Sequence, residues 1–354
     1  MERDVWRITR AGSLDRLRLE RETLPPAGIG EASVEVSAVG LNFADIFACL
    51  GLYSATPKGS FVPGLEFSGV VHEVGPPAPD GTAVAAAVRP GDQVVGVVRF
   101  GAYATALNAD VRYLQPLPQG WSLTEGAAFP VQALTAWHGV HALGGLQTGG
   151  SILVHSAAGG VGLNALHIAF SRRARVVATV GRESKKAFLL GRFGLEPDAI
   201  VVRDRRRFGE QLDRALRAID ADAFDVILDG VAGPYFRPAL HRLRPGGRLI
   251  LFGASDMTPL GSKPNYAKLA WQYLRRPKVD VLRLVNSNRA VIGFNLIWLW
   301  DRAADLAREY EEVSSVITAP PFIGRTFPLA DAPAGLRFLQ SGESTGKVVL
   351  AIPR

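Results

Sequence analysis

Residues 151–170 read SILVHSAAGGVGLNALHIAF, an apolar run joined to an apolar helical pattern through a turn made almost wholly of Ala and Gly. So bare a turn lets a partner approach the backbone closely. A helix N-terminus exposes free N–H groups and a partial positive charge, and a pyrophosphate sits there when no side chain blocks its approach. Ala157, Gly159 and Gly162 stand at the first, third and sixth positions of the dinucleotide-binding fingerprint, with Ala158, Gly160 and Val161 between them. A tight strand-to-helix turn without a ligand has the same composition, so the surrounding chain must decide.

After Thr124, short apolar runs alternate with helical patterns: ILVHS then LNALHIAF, RVVATV then SKKAFLLGRF, AIVV then FGEQLDRALRAI, DVILDG then YFRPALHRL, and finally RLILFGAS. Strands alternating with helices make βαβ units and a parallel sheet. The spacing predicts a doubly wound, dinucleotide-binding α/β domain over residues 126–297, with the glycine turn following its first strand. Residues 32–98 instead carry Val-rich runs broken by Gly and Pro (ASVEVSAVGLN, EFSGVVHEVG, DQVVGVV), the mark of a β-rich lobe. That lobe is expected over 1–125 and 298–354, the C-terminal stretches WDRAADLAREY and KVVLAI folding back onto it. A chain of 354 residues with 47% hydrophobic content can bury cores for both. An Ala/Val run at 83–88 is the one low-complexity tract.

The end of the second strand tells nicotinamide nucleotides apart, because an acidic residue there accepts the ribose 2′-OH of NAD and repels a 2′-phosphate. RVVATV ends instead in Gly181, Arg182, Glu183, Ser184, Lys185 and Lys186, with Arg203 beyond the third strand. Arg182, Lys185 and Arg203 suit a dianionic phosphate, which points to NADPH. A solvated first helical turn with Glu183 pairing locally is the alternative; the helix dipole disfavours cations at that place.

The single cysteine, Cys49, excludes an internal disulfide and any multi-cysteine zinc site, and reads as a small buried hydrophobe. The first 17 residues lack an apolar stretch of signal-peptide length, and no run approaches a membrane span. A cytoplasmic protein is expected. The net charge of +7 admits nucleic acid as a partner, yet the cations are dispersed apart from residues 203–207, and no nucleic-acid motif is present.

AVGLNFADIFACLGLY, VPGLEFSGVVHEVG, RPGDQVVG, LTAWHGV, LVHSAAGGVG, DVILDGVAG, GGRLILFGAS and TGKVVL follow one another in an order that resembles the medium-chain dehydrogenase/reductase superfamily, quinone oxidoreductase branch. KLAWQYLRRPKVDVLRLVNSNRAVIGFNL is similar to the synaptic vesicle membrane protein subgroup, and NFADIF to enoyl reductase domains of polyketide synthases. The resemblance implies a Rossmann domain plus a GroES-like catalytic domain, a homodimer, and NADPH held also by Thr135, Phe252, Gly253, Phe294 and Lys347. Where zinc-dependent members place their ligands, this chain has Asp45, Leu65 and approximately Val131, so no metal is expected. His138 and His141 are the one histidine pair with ligand-like spacing, without a carboxylate nearby in sequence.

Hydride chemistry without a metal remains. Its acceptor would be a quinone or an α,β-unsaturated carbonyl, with hydrogen-bond donors stabilising charge on the carbonyl oxygen. By the resemblance, Asn42, Asp45 and Tyr53 line the cleft as catalytic residues, Asn42 and Tyr53 donating and Asp45 orienting them. A local reading is compatible: Asn42 caps a helix starting near Phe43, Asp45 sits in its first turn, and Tyr53 packs. Thr135 can likewise be a plain helix hydroxyl. Two rival functions stand beside the first, an enoyl-thioester reductase of polyketide or fatty acid assembly, and an NADPH-gated RNA- or membrane-surface-binding protein with little turnover.

Overall fold

A computed structural model of the protein describes residues 1–78 and 88–353; residues 83–87 of the Ala/Val run therefore lie outside the described residues. Six parallel strands form one sheet in the spatial order Ile200–Val202, Arg175–Val180, Ser151–Val154, Phe224–Asp229, Leu243–Leu251, Ala290–Gly293. Numbered along the chain this is 3-2-1-4-5-6, the doubly wound order that opens a crevice beyond the carboxyl ends of strands 1 and 4. All four residues of Ser151–Val154 are buried, because helices cover both faces of the central strand. The helices obey their spacing too: Phe208–Ala218 buries Phe208, Leu212, Ala215 and Leu216, one stripe at i, i+4, i+7 and i+8. Helix Glu183–Phe193 stops at Gly194, whose φ of 61° is the left-handed cap that glycine adopts without a Cβ penalty.

The sixth strand, Ala290–Gly293, is an element the βα rhythm did not reveal. It is only four residues long and none of them is fully buried, so the β-branched pair Val291–Ile292 at its centre is too short a signal to announce it.

A seven-stranded mixed sheet makes the second lobe, in the order Ile323–Pro328, Lys347–Ala351, Glu31–Gly40, Glu66–Val74, Gln93–Val97, Leu114–Pro116, with Ala106–Asp110 also paired to Glu31–Gly40. The C-terminal strand Lys347–Ala351 thus returns to the β-rich lobe. Helix Ala303–Val316, expected to accompany it, behaves differently. Its Tyr310 and Val313 join the core around the parallel sheet, and Trp137 Nε1 donates to Glu312 at 2.9 Å. Apolar periodicity shows that a helix has a buried stripe, but not which lobe receives it.

Several contacts tie the lobes together where the crevice opens. Gly346 N donates to Ala158 O at 2.7 Å, Tyr53 Oη donates to Asn295 Oδ1 at 2.8 Å, and Trp298 Nε1 donates to Ser54 Oγ at 3.2 Å.

Candidate active site

The glycine turn is shaped by packing on one side and open on the other. A Cβ added at Gly162 would lie 2.5 Å from Ser156 O and 2.6 Å from Ala157 Cα, so only glycine lets helix Gly160–Ser171 pack onto its strand. A Cβ at Gly160 would meet Gln132 Oε1 at 2.6 Å. At Gly159 the nearest atom is 3.3 Å away, and this residue is the helix N-cap with no side chain to satisfy the first-turn N–H groups. Those donors are left for a ligand, which is the form an anion cradle takes.

A cavity of about 850 Å³ runs from this turn through the crevice between the lobes. Asn42, Tyr53, Thr135, Ala158, Gly159, Gly160, Val161, Gly162, Arg182, Lys185, Arg203, Phe252, Gly253, Phe294 and Lys347 all line it. Residues from 42 to 347 in sequence therefore meet at one place.

Asp45 is the exception. It is fully buried and does not reach the cavity; at the third position of helix Phe43–Cys49 its carboxylate turns back to accept Asn42 N–H at 2.8 Å and the Tyr103 hydroxyl at 3.1 Å. Burial pushes its carboxyl up to about 7, against the opposing pull of the Asn42 hydrogen bond and of Lys347. The reading of Asp45 as a cleft-lining catalytic residue is corrected to that of a buried support.

Asn42 also differs from expectation. Its Nδ2 gives its hydrogens to Gly40 O (3.1 Å) and Glu66 Oε1 (2.9 Å), while Oδ1 accepts from Gln132 Nε2 (2.6 Å) and Lys347 Nζ (2.9 Å). The amide is saturated, so it cannot donate to a substrate without losing an internal bond. Glu66, absent from the sequence reading, is the centre of this network. It is fully buried, pairs with Lys347 Nζ at 2.5 Å and accepts Val131 N–H at 2.8 Å. Its position inside the VPGLEFSG motif was the only sequence signal for it. Gln132 and Asn295 carried none.

Tyr53 is half-buried in the cavity wall, and burial pushes its phenol up to about 12, so it stays protonated and able to donate. At the other end, Arg203 Nη1 donates to Thr179 Oγ1 at 3.1 Å and its guanidinium lies over the Tyr235 ring. Lys185 Nζ donates to Gly342 O at 2.7 Å; burial, then Arg182 and Arg203, lower its ammonium to about 8. The three cations expected to bind phosphate are thus gathered at one end of the cavity. His155, beside them, is held neutral by burial, its pKa down to about 4.

The positions that correspond to zinc ligands carry the buried Asp45 and the aliphatic Leu65 and Val131, a set that does not fit the ion. Among the described residues no three His, Cys, Asp or Glu side chains gather as a metal site. His138 instead pairs with Glu309 at 2.9 Å and His141 with Arg172 at 2.8 Å.

A 3-2-1-4-5-6 parallel sheet, a GroES-like mixed sheet and a glycine cradle opening into the crevice between them define a nicotinamide-dependent oxidoreductase of the medium-chain dehydrogenase/reductase superfamily. Residues 28–119 match the family model for an alcohol dehydrogenase GroES-like domain, and residues 195–350 that for a zinc-binding dehydrogenase. The chain is 30% identical over 354 residues to the synaptic vesicle membrane protein VAT-1 homolog of Danio rerio, covering 97% of this chain and 69% of that one. It is 31% identical to the spectinabilin polyketide synthase system protein NorB of Streptomyces orinoci, matching over 98% of this chain but only 14% of that much longer protein. The solved structure of mycobacterial Rv1454c complexed with NADPH superposes with a TM-score of 0.81 at 26% identity, covering 99% of each chain. The chain belongs to the zinc-free quinone oxidoreductase branch of the superfamily that includes the VAT-1 homologues. Among the described residues no helix is long and apolar enough to cross a membrane.

Proposed function

We propose that the protein is a zinc-independent, NADPH-dependent reductase of quinones or of the activated C=C of α,β-unsaturated carbonyl compounds. The observation that carries this reading is the single cavity leading from the glycine cradle and its cations to the Tyr53 hydroxyl. Gly159, Gly160, Val161 and Gly162 hold the pyrophosphate; Arg182, Lys185 and Arg203 hold the 2′-phosphate; Thr135, Phe252, Gly253 and Phe294 wall the remaining length. When bound, the dihydronicotinamide supplies a hydride to an electron-poor carbon.

The chain's own part is to meet charge on the acceptor oxygen. A half-turn of the Asn295 amide presents Nδ2 to the Tyr53 phenol oxygen and frees the phenol hydrogen for that oxygen. Lys347, with Nζ hydrogens given to Asn42 and Glu66, has its third hydrogen for an anionic atom in the cavity. Asn42 and Asp45 act one step back: Asn42 fixes Lys347, and Asp45 fixes the Asn42 backbone.

The likeness to NorB supports a second reading within the same chemistry, reduction of an enoyl thioester. The chain is taken as a homodimer working in the cytoplasm. Among the described residues no strand pairs with the outer edge of Ala290–Gly293, and Leu274, Leu282 and Val285 on the helices before it are each more than two-thirds exposed, a surface a second copy would cover.

Turnover decides. Purified protein is mixed with NADPH and a panel of simple enones, quinones and enoyl thioesters, with and without a chelator. The expected result is oxidation of NADPH with at least one class and no effect of the chelator. No turnover across all three classes, or activity lost with about one zinc per chain, would overturn the reading.

A further inference from the structure

Two of the cations at the phosphate end, Arg182 and Lys185, are already engaged, and their partners come from the other lobe. Arg182 is the N-cap of helix Glu183–Phe193 and Lys185 lies in its first turn, both on the parallel-sheet side. Residues 341–346 connect helix Ala332–Gln340 to strand Lys347–Ala351 of the mixed sheet. Lys185 Nζ donates to Gly342 O at 2.7 Å, and Arg182 Nη1 lies 3.4 Å from Glu343 Oε1. The same connection is pinned to the glycine turn by Gly346 N to Ala158 O. A carboxylate from the opposite lobe therefore stands beside the cations that a 2′-phosphate would need.

We infer that Glu343 is a cofactor-discriminating residue: its carboxylate competes with a 2′-phosphate for Arg182 and so narrows the preference for NADPH over NADH. The inference rests on the NADPH reading given above. Carboxylates that accept the ribose 2′-OH ordinarily stand at the end of the second strand, where this chain has Gly181. Here the carboxylate beside the cations comes instead from the far side of the crevice, on the connection at residues 341–346.

The size of the effect follows from charge. Two anions sharing one cation sit roughly 6 Å apart; a carboxylate facing a dianion at that distance, in a water-like dielectric and at physiological salt, weakens the dianion's binding about threefold. A water-like dielectric is appropriate because Arg182 and Glu343 are each about half exposed. The neighbouring cations Lys185 and Arg203 are unaffected by neutralising Glu343 except through the same field.

The test compares the wild-type chain with Glu343→Gln, measuring NADPH and NADH affinities by titration at low and high salt. Exposure of Glu343 makes the substitution harmless to folding. NADPH should bind about threefold more tightly to the variant while NADH binds no better, and the gain should shrink at high salt. If wild type prefers NADPH and the substitution leaves the NADPH-to-NADH ratio unchanged, the inference fails and the cofactor reading stands. If wild type binds NADH as tightly as NADPH or more so, and the variant does the same, both fail.

Discussion

Cutting the buried pair between Glu66 and Lys347 gives the sharpest test of how the active-site floor is held. Both side chains are buried, 0% and 3% exposed, with Nζ 2.5 Å from Oε1. Glu66→Leu would strand three donors at once: the Lys347 ammonium, one hydrogen of Asn42 Nδ2, and Val131 N–H. Breaking a buried ion pair from one side costs about 3–5 kcal/mol, and a stranded backbone donor adds about 1–3 kcal/mol. The expected loss is at least about 4 kcal/mol, a large part of the roughly 5–15 kcal/mol that holds a typical fold. Lys347→Met is milder, about 3 kcal/mol, because Glu66 keeps the Asn42 and Val131 donors. In the double variant the unpaired charge disappears and two neutral donors remain, so Glu66→Leu with Lys347→Met should be less destabilised than Glu66→Leu alone. Urea unfolding followed by tryptophan fluorescence measures all three midpoints. A cost below about 1 kcal/mol for Glu66→Leu, or simple additivity of the two singles, would show that the pair is not desolvated, and the account of Asn42 as a held residue would fall with it.

Tyr53→Phe should lower the enone or quinone reduction rate at least several-fold with NADPH affinity unchanged, whereas Asn42→Ala should act mainly through stability and cofactor affinity; initial-rate kinetics beside cofactor titration separate the two, and an unchanged rate in Tyr53→Phe removes the phenol from the mechanism. For Lys185, burial and the neighbouring Arg182 and Arg203, opposed by Glu343, depress its ammonium to about 8. It is charged below that pH and neutral above it, so NADPH affinity should hold from about pH 6, where the phosphate becomes dianionic, and fall as pH rises through about 8. NADH affinity should stay flat; a parallel fall for both nucleotides would show that Lys185 does not meet the phosphate.

Local chain chemistry made the parallel-sheet lobe legible. A buried central strand must be apolar along its whole length, and a helix packed on a sheet must repeat its apolar residues with its own period, so ILVHS and FGEQLDRALRAI declare their roles within a few residues. The glycine turn was readable for the same reason, since Gly162 answers a steric demand from Ser156 and Ala157, its neighbours in sequence. Strand Ala290–Gly293 and the lobe that receives helix Ala303–Val316 were not, because each depends on which distant surface is available to pack against. The same divide runs through the site. Arg182, Lys185 and Arg203 could be named from their place after strands. That Glu66 sits under Asn42 and Lys347, that Asp45 turns inward to Tyr103, and that Glu343 reaches the cations from the other lobe follow only once segments distant in sequence, from 24 to 281 residues apart, are brought together. A carboxylate's neighbours in space set its charge partner and its desolvation; its neighbours in sequence set only the element that carries it.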